Sequence, residues 1–165
     1  MKAERRHWKI KLSDISQPKR IDFSIKFTDE QFEKITNGLI PEEMEDKWFI
    51  FFENNWLYFH RSWTGYCQFK MQITKEKDKQ IYSVKEFYAE RNPERYKCVD
   101  DTEEIKKISF LIMCGLLRLD ENYNDLSSEK KSANELIVAW SDFGNLIIND
   151  KMNSEKKDLF RIIQK

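Results

Sequence analysis

Arg61 stands in the most aromatic stretch of the chain, 47–73, KWFIFFENNWLYFHRSWTGYCQFKMQI. Trp48, Trp63, Tyr66, Gln68 and Lys70 lie around it at spacings that an antiparallel sheet gathers on one face. Arg and Lys supply charge-assisted bonds to phosphate or carboxylate, and Trp and Tyr supply flat surfaces for a base or sugar. A ligand-binding set of Arg61, Trp63, Trp48, Tyr66, Gln68 and Lys70 follows. The plainer reading has the two tryptophans packing across strands, with Arg61 lying over them for stability.

Catalytic chemistry has thinner support. His60 is expected on an apolar face beside Phe49 and Phe69, where a histidine is more often a hydrogen-bonded core residue than a base. Cys67 and Ser62 are the nucleophiles within its reach, and Cys67 also reads as a small core residue. Glu42, Glu43, Glu45 and Asp46 form an acidic segment that could serve a metal or a basic partner but reads first as a solvated turn. Glu86, in the middle of an apolar run, is placed to meet Arg61 or His60. The chain has four glycines and no GxGxxG, P-loop or GxSxG, so phosphate-cradling loops are not expected. Its cysteines, Cys67, Cys98 and Cys114, and its histidines, His7 and His60, do not make a four-ligand zinc set. Catalytic residues, metal and cofactor are therefore all assigned as none.

The elements that must position Arg61 follow from two turn signals. Asn54-Asn55 and Thr64-Gly65 each separate runs rich in Trp, Phe, Tyr and Ile, the pattern of a three-stranded meander. Reading both as two-residue turns pairs Phe49 with His60, Trp48 with Arg61, Arg61 with Gln68 and His60 with Phe69. Phe49, Phe51, Trp56, Tyr58, His60, Cys67, Phe69, Met71 and Ile73 then share a helix-covered core face. Trp48, Ile50, Phe52, Leu57, Phe59 and the candidate site occupy the other.

Around the meander, alternation predicts strands over 8–16 and 20–27, paired as a hairpin about Pro18, and a fourth strand over 81–90 beside 67–75. Thr28 with Gln31 is a capping box, and Phe27 with Phe32 is placed as a hydrophobic staple; the helix they open should stop at Gly38. Residues 41–47 read as a short helical turn. Asp101 with Glu104 caps a buried helix from 102 to about 119. After a polar loop over 120–131, Ser132 with Glu135 opens a helix carrying Leu136, Trp140, Phe143 and Ile147. Ser154 caps a last short one with Leu159, Ile162 and Ile163 inward. The fold class is α+β: an antiparallel β-meander sheet of about four to six strands with C-terminal helices packed mainly on one face, in a single domain spanning 1–165.

Composition narrows the function. Charged residues reach 35% and aromatics 14%, with 29 basic and 29 acidic side chains. The balance argues against double-stranded nucleic acid as a partner, and the aromatics argue against disorder. The longest nearly apolar run, 108–117, is far short of the ~20 residues that span a bilayer. With no apolar leader and an odd number of cysteines, a cytoplasmic location without membrane partners is expected. EDKWFIFFENNWLYFHRSWTGYC resembles a stretch of small bacterial proteins to which no activity is attached. The resemblance implies a shared fold and supplies no catalytic residues. The expected function is a non-catalytic binding module for a nucleotide-like or other anionic small molecule, or an acidic peptide. The rivals are an enzyme on a nucleotide-like substrate, with Arg61 orienting phosphate, and a protein-interaction or oligomerisation domain.

Overall fold

The computed structural model of the protein describes residues 1–11, 14–43, 45–77 and 79–118. The expectations for 120–165, including the capping box at Ser132 and the short helix after Ser154, lie outside them. The described elements are β1 (Pro18–Arg20), β2 (Lys26–Thr28), α1 (Asp29–Asn37), β3 (Trp48–Glu53), β4 (Trp56–Arg61), β5 (Cys67–Lys75), β6 (Ile81–Glu90) and α2 (Asp101–Phe110). A π-helical turn, Leu111–Leu116, continues α2. The strands form one antiparallel sheet in the order β1-β6-β5-β4-β3, with β2 also paired to β6. This is an α+β architecture. Among the described residues no helix is long and apolar enough to cross a membrane.

The first hairpin has the expected register. Asn54 and Asn55 hold φ of 52° and 66°, the left-handed pair that a two-residue loop requires. β3 and β4 therefore pair from Trp48–Arg61 through to Glu53–Trp56.

The second hairpin corrects the expectation. Arg61 N–H donates to Tyr66 O (3.0 Å) and Gly65 N–H to Arg61 O (2.8 Å). The loop thus holds four residues, 62–65, with Gly65 at φ 73°. His60 faces Cys67, yet Phe59 faces Phe69, so Gln68 is an inserted residue in a β-bulge. Because side chains alternate, one extra residue sends the rest of β5 to the opposite face.

The predicted core face consequently divides. Phe69, Met71 and Ile73 join Trp48, Ile50, Leu57 and Phe59 in the main core, with Ile35 of α1, Ile108 and Phe110 of α2, and Leu111, Ile112, Met113 and Leu116 of the π-helical turn. Phe49 and Phe51 lie on the other face, packed with Ala3 and flanked by Trp8, Ile10, Ile40 and Tyr58.

The N-terminal hairpin is also corrected. β1 and β2 each pair with β6 instead of with residues 8–16. Residues 1–11 cross the second sheet face as a strap. Ala3 N–H donates to Asn37 O (2.7 Å) and Lys11 N–H to Gly65 O (3.0 Å), while Trp8 Nε1–H donates to Ser62 O (2.9 Å). The alternation at Trp8 and Ile10 records one side packed on Phe49, with no strand partner needed.

Helix ends follow local chemistry. The Thr28–Gln31 capping box forms, and Gly38 ends α1 at φ 69°. A Cβ at Gly38 would collide with Ile50 O, so the turn sits directly on β3. Phe32 stacks on Tyr82 at 3.7 Å. In α2 the cap is Asp100, which accepts from Glu103 N–H (3.0 Å). Asp101 and Glu104 instead bind Arg91. The described residues of 41–47 form a turn rather than a helix, because the Asp46 carboxylate accepts from Glu42 and Glu43 N–H.

Candidate functional site

The turn between β4 and β5 groups three of the six expected site residues. Arg61 and Tyr66 close it through their backbones, and Trp63 projects from it, 66% exposed. The Arg61 guanidinium lies 5.0 Å from the Trp48 ring centroid. Trp48 itself is buried and stacks on Phe69 at 5.8 Å. Trp48 is thus a buried core ring that lies against the Arg61 guanidinium.

Gln68 is buried at the bulge. Lys70 is on the other face, since the bulge pairs it with Tyr58. There its ammonium lies 4.9 Å from the Trp56 ring and 5.8 Å from the Tyr88 ring, and 2.7 Å from the Asp14 carboxylate. Glu86 pairs with Gln72, which in turn faces Trp56. Five residues along β4 separate that row from Arg61, roughly 16 Å at strand rise.

Three cations that sequence reasoning missed join the turn. Lys11 Nζ and the Arg95 guanidinium each lie 5.1 Å from the Tyr66 ring centroid. Lys47 Nζ lies 5.5 Å from the Trp63 ring. Tyr66 thus holds two positive groups on one ring, each attracted by its quadrupole. An anion bound beside this ring would meet positive charge from two separate segments of the chain.

The scaffold behind Arg95 is a buried carboxylate. Glu90, at the end of β6, accepts backbone N–H bonds from Ser16 and Gln17 (both 2.8 Å), Asn92 (3.0 Å) and Arg91 (3.1 Å). Burial alone would raise its pKa, but these four donors hold it below the ordinary carboxylate value. Its Oε2 also lies 3.6 Å from Arg95 Nη1. Beside it, Arg91 makes a two-pronged bond to Glu104, 2.7 Å on each prong, and reaches Asp101 at 3.0 Å. These pairs fix the loop after β6 to α2, and with it Arg95. The signal that could have found Glu90 is a carboxylate closing an apolar strand directly before an Arg.

The His60–Cys67 pair is not poised for catalysis. A carbonyl can only accept, so His60 Nδ1, 3.1 Å from Gly65 O, carries the proton. Burial lowers the His60 pKa to about 4, helped by the Arg5 charge and opposed by the Gly65 bond. Burial pushes the Cys67 thiol far up, and its Sγ donates to Phe69 O at 3.2 Å. Ser62 Oγ donates to Asp46 O at 2.7 Å. Among the described residues the hydrogen bonds of both nucleophiles go to backbone carbonyls rather than to a base. Among the described residues no group of His, Cys, Asp and Glu could hold a metal ion.

Comparison of the chain with protein-family models, curated proteins and solved structures finds no match.

Proposed function

We propose that the protein is a non-catalytic, cytoplasmic binding module for a nucleotide-like anion, held at the turn end of its sheet. The reading assigns Lys11, Arg95 and Arg61 to the anionic group and the exposed Trp63 to the planar one. The observation that carries it is the Tyr66 ring, with a cation 5.1 Å from its centroid twice over. No carboxylate pairs with Lys11 among the described residues, and Glu90 is largely occupied by backbone donors. Cation and aromatic surface are thus adjacent, as phosphate and base are in a nucleotide.

Titration calorimetry with adenosine monophosphate, inorganic phosphate and an Asp/Glu peptide tests the reading. Adenosine monophosphate should bind more tightly than phosphate, and Trp63→Ala should weaken it about fivefold or more, since base stacking contributes ~1–3 kcal/mol. Arg61→Lys should weaken it too, because Lys lacks the planar fork, whereas a purely structural Arg61 would lower the melting temperature of Arg61→Lys and Arg61→Met and leave binding intact. Tighter binding of the peptide would replace the nucleotide by an acidic peptide partner. No heat from any of the three would overturn the reading.

A further inference from the structure

We propose that residues 1–11 form a strap that acid releases from the sheet, with the buried His60 as its latch. The joint is the Gly65 carbonyl. It accepts from His60 Nδ1–H at 3.1 Å and from the strap's Lys11 N–H at 3.0 Å. The strap sits tightly there, since a Cβ on Gly65 would lie 2.8 Å from Lys9 O and 2.9 Å from Lys11 N. One strap residue further in, the Trp8 ring stacks on Phe49 at 6.3 Å, and Phe49 and Phe51 in turn lie against the His60 ring. The strap and the histidine thus cover the same patch of sheet.

His60 has no surface exposure, and its Nε2 finds no hydrogen-bond partner among the described residues. As a neutral acceptor that atom is tolerated between aromatic rings. Protonated, it becomes a charged donor with no acceptor, which a closed strap cannot solvate. The charged groups facing it do not rescue it. Arg5 on the strap is cationic, although paired with Glu53 of β3. Asp14 favours the imidazolium, but its carboxylate is bound to Lys70 of β5. Tyr58 of β4 and Cys67 of β5 are neutral, their ionisation pushed upward by burial. Lifting the strap admits water to Nε2 and restores an ordinary imidazole. The strap is held by few bonds, so release leaves the β3–β4–β5 ladder intact. With a closed-state pKa of about 4 against 6.5 when open, the strap should be about thirtyfold more open at pH 5 than at pH 8. This inference needs no ligand; where the anion reading also holds, release withdraws Lys11 from the site.

The test is amide hydrogen exchange of the full chain followed by NMR from pH 8 to pH 4, corrected for intrinsic exchange. The histidine nitrogens are observed in parallel. Protection of the Ala3 and Lys11 amides should fall by about thirtyfold at pH 5, while the amides paired between β3 and β4 keep theirs. In His60→Asn, whose amide can still donate to Gly65 O but cannot be charged, strap protection should not change with pH. Strap protection that persists to pH 4, or that falls equally in His60→Asn, would overturn the proposal. So would simultaneous loss of strap and sheet protection. Should His60→Asn not fold, the wild-type histidine signals decide: the latch requires His60 to become protonated over the same pH range in which the Lys11 amide loses protection.

Discussion

The two faces of the sheet are built from the same aromatic strands but are closed by different means. The inner face meets α1, α2 and the π-helical turn in one apolar cluster, from Ile35 and Trp48 through Phe69 to Leu117. The outer face has Phe49 and Phe51 under Ala3, with a rim of Trp8, Ile10 and Tyr58. It also carries charge: Arg5 on Glu53, and Lys70 on Asp14. Apolar burial stabilises in proportion to area, whereas partly exposed ion pairs contribute less each. Stability therefore belongs to the inner face and adjustability to the outer one.

Substitutions on each face can break that contrast. Phe69→Ala removes a ring that touches Trp48, Phe59, Phe87 and Tyr96, and should cost about 3–5 kcal/mol in denaturant unfolding. A loss below 1 kcal/mol would mean that the inner face is not the load-carrier.

The next effect is acid sensitivity. His60 has a folded-state pKa of about 4, below the 6.5 of the unfolded chain. Its contribution is fully present above pH 6.5 and disappears as pH falls toward 4, because the unfolded state then binds the extra proton. The difference in pH dependence between wild type and His60→Asn should reach at most about 3 kcal/mol between pH 8 and pH 4. Parallel curves would show that His60 is not the titrating group.

Trp8→Ala should lower stability by about 1–2 kcal/mol, since the strap loses its ring contact and its bond to Ser62 O. It should also raise exchange on the strap more than on β3. Smallest is Lys70→Met. Its partner Asp14 is half exposed, so the change in melting should correspond to less than about 1 kcal/mol. Nucleotide binding should not change, because Lys70 is on the face away from Trp48.

The same contrast explains how much of the molecule was legible in the sequence. Asn54-Asn55 names its own turn type, so the β3–β4 register follows from local chemistry. The Thr28 cap and the Gly38 stop are equally local. The second hairpin has a Gly one residue later than a two-residue turn would place it, and a bulge at Gln68 that has no sequence signature. One misplaced residue there exchanged Lys70 and Phe69 between faces. The strap alternates like a strand because alternation reports one-sided burial and says nothing about a pairing partner. The donors around Glu90 were harder to foresee, because two of them, Ser16 and Gln17, come from a distant part of the chain. Of the expected site, Arg61, Trp63 and Tyr66 are grouped by a single turn, which is why a short motif could reveal them. Lys11 and Arg95 reach Tyr66 only through tertiary structure.

The two cation–aromatic clusters now offer the most direct test. At Lys70 the cation is paired with Asp14; at Tyr66 Arg95 shares Glu90 with four backbone donors, and among the described residues no carboxylate pairs with Lys11. An adenosine monophosphate titration at pH 7.5, followed by backbone and indole NMR shifts, compares them within one sample. Binding at the turn predicts saturable shifts in residues 61–66, the Trp63 indole, Lys11 and Arg95, with Lys70, Trp56 and Tyr88 unmoved. Shifts confined to the Lys70 cluster, or none that saturate, would contradict it.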